Sequence, residues 1–404
     1  MDITDKEKKY LLGVYKKNPI VVRRALGKYI YDDKGRRYLD FFSGLSVCNF
    51  GHCNPSVISA VSKQLKRYLH ISNLYTADVQ AELAEKLVAM TFGKKSGARV
   101  FFSNSGAEAN ECAVKIARKW GSSSGKYEII TFDNSFHGRT LATLSATAQN
   151  KFHKGFEPLP QGFRYAVFND LSSVKTAFSR NKTAAIMVEP VQGEGGVRPA
   201  RYDFLKDLRK FCDEKNILLI FDEIQTGLGR CGADFAFKIY DVAPDIITLA
   251  KALGGGLPLG ATIVGGKLRD VFGAGDHGST FGGNPVSCAA SLAVLSLLQD
   301  KVVLKNVNTV GNYFKRRLLG DLKNRYPSLI KDVRGMGLMI GVELNQPGAP
   351  VVGRCLEKGL LINVTQDKVL RFLPPLTITR KDADKALKII DEALSFAYKK
   401  IAYR

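Results

Sequence analysis

The sequence predicts an α/β protein in which a mainly parallel sheet, covered by helices, is followed by a smaller α+β domain. Two observations carry that prediction. Between residues 99 and 265 short β-type runs alternate with helical patterns, and the runs are continuously apolar rather than alternating, as strands buried on both faces must be. Beyond about residue 300 the order changes to helix, strand and helix, the last ending at residues 381–398.

In chain order, residues 1–62 form an N-terminal segment expected to pack on the small domain or a partner subunit. Within it, residues 29–39 read as a hairpin whose turn is Asp33-Lys34-Gly35. Residues 63–300 form the large domain, with strand-type runs at 99–102, 128–132, 185–188, 217–221, 246–249 and 261–264. After the first run, Ser105-Gly106-Ala107-Glu108 opens an amphipathic helix whose apolar positions Ala109, Cys112, Ala113, Ile116 and Trp120 recur at helical spacing. A helical stretch after Phe281-Gly282-Gly283-Asn284-Pro285 leads out of this domain. Residues 301–404 make the small domain, with a strand at 337–342. No internal repeat is present, which argues against a solenoid.

At 404 residues, 45% hydrophobic and 24% charged, the chain has the balance of a globular protein of about two domains. Its apolar runs are far too short to span a bilayer, so no membrane partner is expected. The opening MDITDKEKKY carries acidic residues at once and no apolar core, which reads as neither a secretory signal nor a transit peptide and points to the cytoplasm. Seven cysteines, odd in number and without a Cys-x-x-Cys pair, read as reduced thiols. The net charge of +22 raises nucleic-acid binding as a possibility. Yet the basic residues are scattered, and the densest spots (Lys6-Glu7-Lys8-Lys9, Lys315-Arg316-Arg317, Lys399-Lys400) carry no aromatic-interleaved motif. A solvated basic surface that favours acidic metabolites is the better reading, with no specific nucleic-acid partner.

In open α/β sheets, ligands bind beyond the carboxyl ends of the strands. There the sequence places Ser103-Asn104-Ser105-Gly106-Ala107, Ser135-Phe136-His137-Gly138-Arg139, Glu189-Pro190, Asp222-Glu223-Ile224-Gln225 and Lys251. Free backbone N–H groups at the Ser105–Gly106 helix start suit a phosphate, although an ordinary capping box of Ser105 with Glu108 explains the same letters. Lys251, set in apolar surroundings before three glycines, suits an amine nucleophile; a lysine snorkelling at a strand end is the plainer alternative. Asp222 could keep a pyridine nitrogen protonated, or simply cap a helix or hold a salt bridge. Phe136 could stack on a ring or belong to the core, and His137 reads as a hydrogen-bonded loop histidine with no acid–base role assigned.

Other chemistries fit less well. There is no Walker-type nucleotide loop, and Gly121-Ser122-Ser123-Ser124-Gly125 follows a helix rather than a strand, so it is not a nucleophile elbow. The five histidines show no metal-ligand spacing, and no metal site is expected.

The segments SNSGAEANE (103–111), FHGRT (136–140), VEPVQGEGG (188–196), FDEIQTGLGR (221–230), ITLAKALGGGLPLGA (247–261), STFGGNPVSCAA (279–290) and LRFLPPLTIT (370–379) closely resemble the class III pyridoxal-phosphate-dependent aminotransferases, over nearly the whole chain and in the expected order. The resemblance implies the fold-type-I architecture, with a seven-stranded sheet in a cofactor-binding large domain, and a homodimer with shared active sites. It implies that Lys251 carries pyridoxal 5'-phosphate as a Schiff base and is the catalytic acid–base group. Asp222 would pair with the pyridine nitrogen, Gln225 would touch the ring hydroxyl and Phe136 would stack on the ring. Ser105, Gly106 and Ala107 would bind the phosphate, with Thr280 supplied by the other subunit. Family members often have Thr where Ala107 stands, so one side-chain contact is absent here while the backbone contacts survive.

Within that family the branch acting on N2-acetylornithine is the most similar. The implied reaction turns N2-acetyl-L-ornithine and 2-oxoglutarate into N-acetyl-L-glutamate 5-semialdehyde and L-glutamate, a step of arginine biosynthesis. By the same resemblance Arg139 would clamp the α-carboxylate, and Arg371 would bind a carboxylate of the dicarboxylic substrate or pair with Glu194. Ser279, beside Thr280, would reach the substrate of the partner site. An ion pair at the surface or in the structure is the plainer reading of both arginines. Ornithine aminotransferases typically carry tyrosine where Leu45 stands, and an apolar residue there suits an acylated amine. Rival readings are another ω-aminotransferase (ornithine, succinylornithine, succinyldiaminopimelate or 4-aminobutyrate), an aminomutase of the same fold, and a basic nucleic-acid-binding protein.

Overall fold

A computed structural model describes residues 2–402, without the side chains beyond Ala397; Lys399 and Lys400 therefore lie outside the described side chains. The central sheet has seven strands: β1 (Arg99–Ser103), β2 (Glu128–Phe132), β3 (Phe163–Ala166), β4 (Thr183–Val188), β5 (Leu218–Asp222), β6 (Ile246–Leu249) and β7 (Gly260–Val264). Their spatial order is β1-β7-β6-β5-β4-β2-β3. Neighbours from β6 to β3 pair in parallel, whereas β7 runs antiparallel to both β6 and β1. The reversal has a local cause. Residues 250–259 hold only the short turn Lys251–Gly254, too little chain for a crossover helix, so the strand must return antiparallel.

Every residue of β2, β4, β5, β6 and β7 is buried, which is why the sequence runs there are unbroken. Each fully buried aliphatic side chain in them contributes about 1.5–3 kcal/mol relative to exposure. The edge strand β3 escapes the apolar reading because Arg164 and Tyr165 are exposed on it. The helix Gly106–Gly121 follows β1 and buries Ala109, Cys112, Ala113 and Ile116 against the sheet, while Trp120 near its end is only half-buried.

The hairpin of the N-terminal segment is present as strands Tyr29–Asp32 and Arg37–Asp40. Asp32 Oδ1 makes its turn by accepting from the amides of Lys34 (3.0 Å) and Arg36 (2.8 Å). Strand Arg37–Asp40 pairs in parallel with Leu360–Leu361, joining this segment to the C-terminal part. There, Ile330–Met336, Met339–Leu344, Asn363–Thr365 and Val369–Phe372 form an antiparallel sheet. The strand expected at 337–342 starts later, because Gly337 (φ 53°) and Leu338 make the turn before it. Among the described residues no single helix is long and apolar enough to cross a membrane.

Candidate active site

The carboxyl ends of β1, β2, β4, β5 and β6 open into one cavity of about 460 Å³. At one end, Ser105 caps the helix Gly106–Gly121, its hydroxyl accepting from the Glu108 amide at 3.2 Å. Glu108 reaches past Ser105 to the Asn104 amide (2.7 Å), so the cap leaves the amides of Ser105, Gly106 and Ala107 without a partner among the described residues. Capping and anion binding therefore coexist here. Three N–H groups at the positive end of a sixteen-residue helix suit a phosphate. A Cβ at Gly106 would stand 2.8 Å from Ile224 Cδ1, so glycine lets the cap pack against the loop after β5.

Asp222 ends β5 and is buried in the cavity wall. Its Oδ2 accepts from Asn110 Nδ2 (2.8 Å) and contacts His137 Nδ1 (2.7 Å), while Oδ1 accepts from the Ile224 amide (3.1 Å). Asn110 also donates to His137 O (2.8 Å) and accepts from Thr248 Oγ1 (2.7 Å). Burial works against a charged His137, yet the Asp222 carboxylate beside it holds its pKa above the usual histidine range. Glu189, also buried, accepts from the amides of Phe136 (3.1 Å) and Gly193 (3.2 Å), and burial pushes its carboxyl up to about 7. Sequence reasoning gave His137 no role and passed over Asn110. The signal for Asn110 was present: a polar residue one place from the apolar stripe of a buried helix.

Lys251 sits at the turn after β6 with φ +47°, a left-handed conformation that costs a non-glycine residue energy. Burial lowers its amine below the usual lysine range, against the pull of the Glu194 carboxylate and helped by the Arg371 charge. Phe136 and Gln225 line the same cavity.

Arg371, on strand Val369–Phe372, is buried and bonds Glu194 Oε1 at 2.6 Å, with longer contacts to Asn363 Oδ1 (3.2 Å) and Gln225 Oε1 (3.4 Å). Arg139 also lines the cavity, exposed and without an ion pair among the described residues. Two predicted residues lie elsewhere. Thr280 is exposed beside His70 and Asn73, away from this chain's cavity. Ser279 Oγ accepts from Asn104 Nδ2 (3.2 Å) and the Gly282 amide (2.9 Å), at the edge of the helix cap. Leu45 packs with the Val191–Val197 cluster, and Val47 from the same segment lines the cavity instead.

These groups fit pyridoxal phosphate: unpaired helix-start amides for the phosphate, an aromatic face, a buried carboxylate for the ring nitrogen and a buried amine held below the usual lysine range. Among the described residues no cluster of His, Cys, Asp and Glu has the makings of a metal site.

The family described as aminotransferase class-III matches residues 13–394. The acetylornithine aminotransferase of Methanocaldococcus jannaschii is 50% identical over 397 residues, covering 97% of each chain. That of Aquifex aeolicus is 47% identical, covering 95% of this chain and 100% of its own. Among solved structures, the ornithine aminotransferase of Toxoplasma gondii superposes with a TM-score of 0.93 at 33% identity, covering 98% of this chain and 95% of that one. The N-acetylornithine aminotransferase of Stenotrophomonas maltophilia superposes with a TM-score of 0.84 at 35% identity, covering 100% of both.

Proposed function

Because the chain belongs to the class-III aminotransferases, which depend on pyridoxal phosphate, we propose that it moves the terminal amino group of N2-acetyl-L-ornithine onto 2-oxoglutarate, giving N-acetyl-L-glutamate 5-semialdehyde and L-glutamate. This is a step of arginine biosynthesis. The observation that carries the choice of donor is the 50% identity, over nearly full length, to an enzyme named for acetylornithine. The apolar Val47 in the cavity wall agrees with it, since it offers a free α-amino group no hydrogen bond.

Bound pyridoxal phosphate supplies an electron sink for the charge that develops at the substrate carbon bearing the amine. The residues do the rest. The amides of Ser105, Gly106 and Ala107 would hold the phosphate, Phe136 would offer its face to the ring, and Gln225 would meet the ring hydroxyl. Asp222, fixed by Asn110 and His137, would keep the pyridine nitrogen protonated. Lys251 would anchor the cofactor, and its amine, which burial holds below the usual lysine range, would take the proton from the substrate carbon. Arg139 clamps the donor's α-carboxylate. Arg371, released from Glu194, binds the second carboxylate of 2-oxoglutarate.

We read the enzyme as a cytoplasmic homodimer. Thr280 stands outside its own chain's cavity among exposed apolar residues (Leu69, Leu74, Tyr75, Phe281), a patch that suits a subunit interface delivering Thr280 and Ser279 to the partner site. Seven free cysteines suit a reducing compartment. The test is the visible absorption of the holoenzyme, titrated with N2-acetylornithine and separately with ornithine. Loss of the cofactor band at far lower acetylornithine, restored by 2-oxoglutarate, supports the assignment; bleaching mainly by ornithine moves it to the sister enzyme.

A further inference from the structure

Arg139 makes no hydrogen bond or ion pair among the described residues; aromatic rings hold it instead. Its guanidinium carbon stands 3.8 Å from the centroid of Phe152 and 5.4 Å from that of Phe136. The two rings meet edge to face, 6.1 Å apart at 84°. Arg139 and Phe136 line the cavity and Phe152 does not. Lys151 Nζ is a second cation near Phe152, at 5.0 Å.

The platform under Phe152 is fixed. It belongs to the single turn Asn150–His153, which Gln149 ties to Ser135 O (2.9 Å) and His153 Nε2 to Thr147 O (2.7 Å). Gln366 Nε2 bonds both Gln149 Oε1 (3.1 Å) and Glu194 O (2.9 Å), so the seat of Arg139 and the Glu194 loop share one anchor. An unsupported exposed arginine samples many rotamers, and ordering it on binding costs entropy. Stacking fixes the guanidinium plane and leaves its N–H donors free.

We propose that Phe152 is a positioning residue that sets amino-donor specificity by holding Arg139 as a preformed receptor for the donor's carboxylate. The assignment rests on the reading of Arg139 as the carboxylate clamp, and the two can fail separately. A donor without that carboxylate gains nothing from the stack.

The experiment is steady-state kinetics of the holoenzyme with N2-acetylornithine and with N-acetyl-1,4-diaminobutane, the same amine lacking the carboxylate. The variants are Phe152→Leu, Phe152→Tyr and Arg139→Ala. Phe152→Leu is expected to raise KM for acetylornithine roughly three- to tenfold with kcat little changed, the size a half-exposed cation–π contact supports. It leaves kcat/KM for the diamine unchanged, and Phe152→Tyr restores the parent KM. Equal losses with both donors, or no change with either, overturn the role of Phe152. If Arg139→Ala leaves KM for acetylornithine unchanged, the clamp itself falls and Phe152 with it; if Arg139→Ala acts and Phe152→Leu does not, only Phe152 falls. Should the leucine variant lose its far-UV circular dichroism, Phe152→Met makes the same comparison.

Discussion

Arg371 Nη1 lies 2.6 Å from Glu194 Oε1, with the arginine almost wholly buried and the glutamate side chain 27% exposed. The pair is asymmetric: strand pairing and Asn363 hold the arginine, so the glutamate is the partner able to leave. On the proposed function, the closed pair would neutralise a charge that a monocarboxylate donor cannot use, and the open pair would yield that charge to a dicarboxylate. Glu194→Gln keeps the shape and removes the competing charge. KM for 2-oxoglutarate should fall roughly tenfold, the worth of one hydrogen bond to a charged group, while KM for acetylornithine rises. Steady-state kinetics with each substrate varied decides it, and unchanged values for both mean that Glu194 does not compete with substrate for Arg371.

In the proposed reaction the acid–base group is Lys251, whose amine burial keeps below the usual lysine pKa of 10.5. Lys251→Ala should cost at least about a thousandfold in kcat, in line with a lost general base and anchor. Because only the neutral amine attacks an aldehyde, the rate at which apoprotein takes up pyridoxal phosphate should rise with pH and level off below 10.5. Stopped-flow absorbance across pH reads this directly; a rate still climbing past that value means the amine is not depressed.

Much of this site is legible in the sequence because each strand announces its own end. Five apolar runs stop at Ser103, Phe132, Val188, Asp222 and Leu249, and the residues just beyond them meet in one cavity. The legible part is therefore local. What sequence periodicity does not show is what depends on a second element. Asn110 looks like a polar residue on a helix until β5 and β6 bring Asp222 and Thr248 to it. Strand β3 is hidden because an edge strand has a wet face, and Arg164 and Tyr165 occupy it. Phe152 lies in a one-turn helix with no periodicity to betray it.

Asn110→Ala removes three buried hydrogen bonds at once, to Asp222, His137 O and Thr248. It strands the Thr248 hydroxyl and a backbone carbonyl, so a loss of about 2–4 kcal/mol is expected. The urea midpoint of the apoprotein measures it. Asn110→Asp should weaken cofactor binding as well, since it sets a second carboxylate 2.8 Å from Asp222 Oδ2. A midpoint within error of the parent for Asn110→Ala would show that the network is solvated rather than dry.

His52 gives the pH prediction with the clearest sign. Its Nε2 lies 2.7 Å from Asp40 Oδ2, and Asp40 also accepts from the amides of Phe42 (2.8 Å) and Ser43 (2.9 Å), at the start of the segment that carries Val47. The Asp40 carboxylate, with the Cys48 sulfur beside the ring, raises the imidazole from 6.5 to about 10 against the effect of burial. A raised folded-state pKa means the native protein holds the proton longer than the unfolded chain does. The stabilisation is therefore complete below pH 6.5 and drains away as pH climbs toward about 10. His52→Gln lacks this contribution, so it should be clearly less stable than the parent at pH 6.5, with the gap closing near pH 10. Urea midpoints of both proteins at the two pH values test it. A gap that stays constant means that His52 stabilises by packing alone, and one that widens with pH means that the native imidazole is neutral.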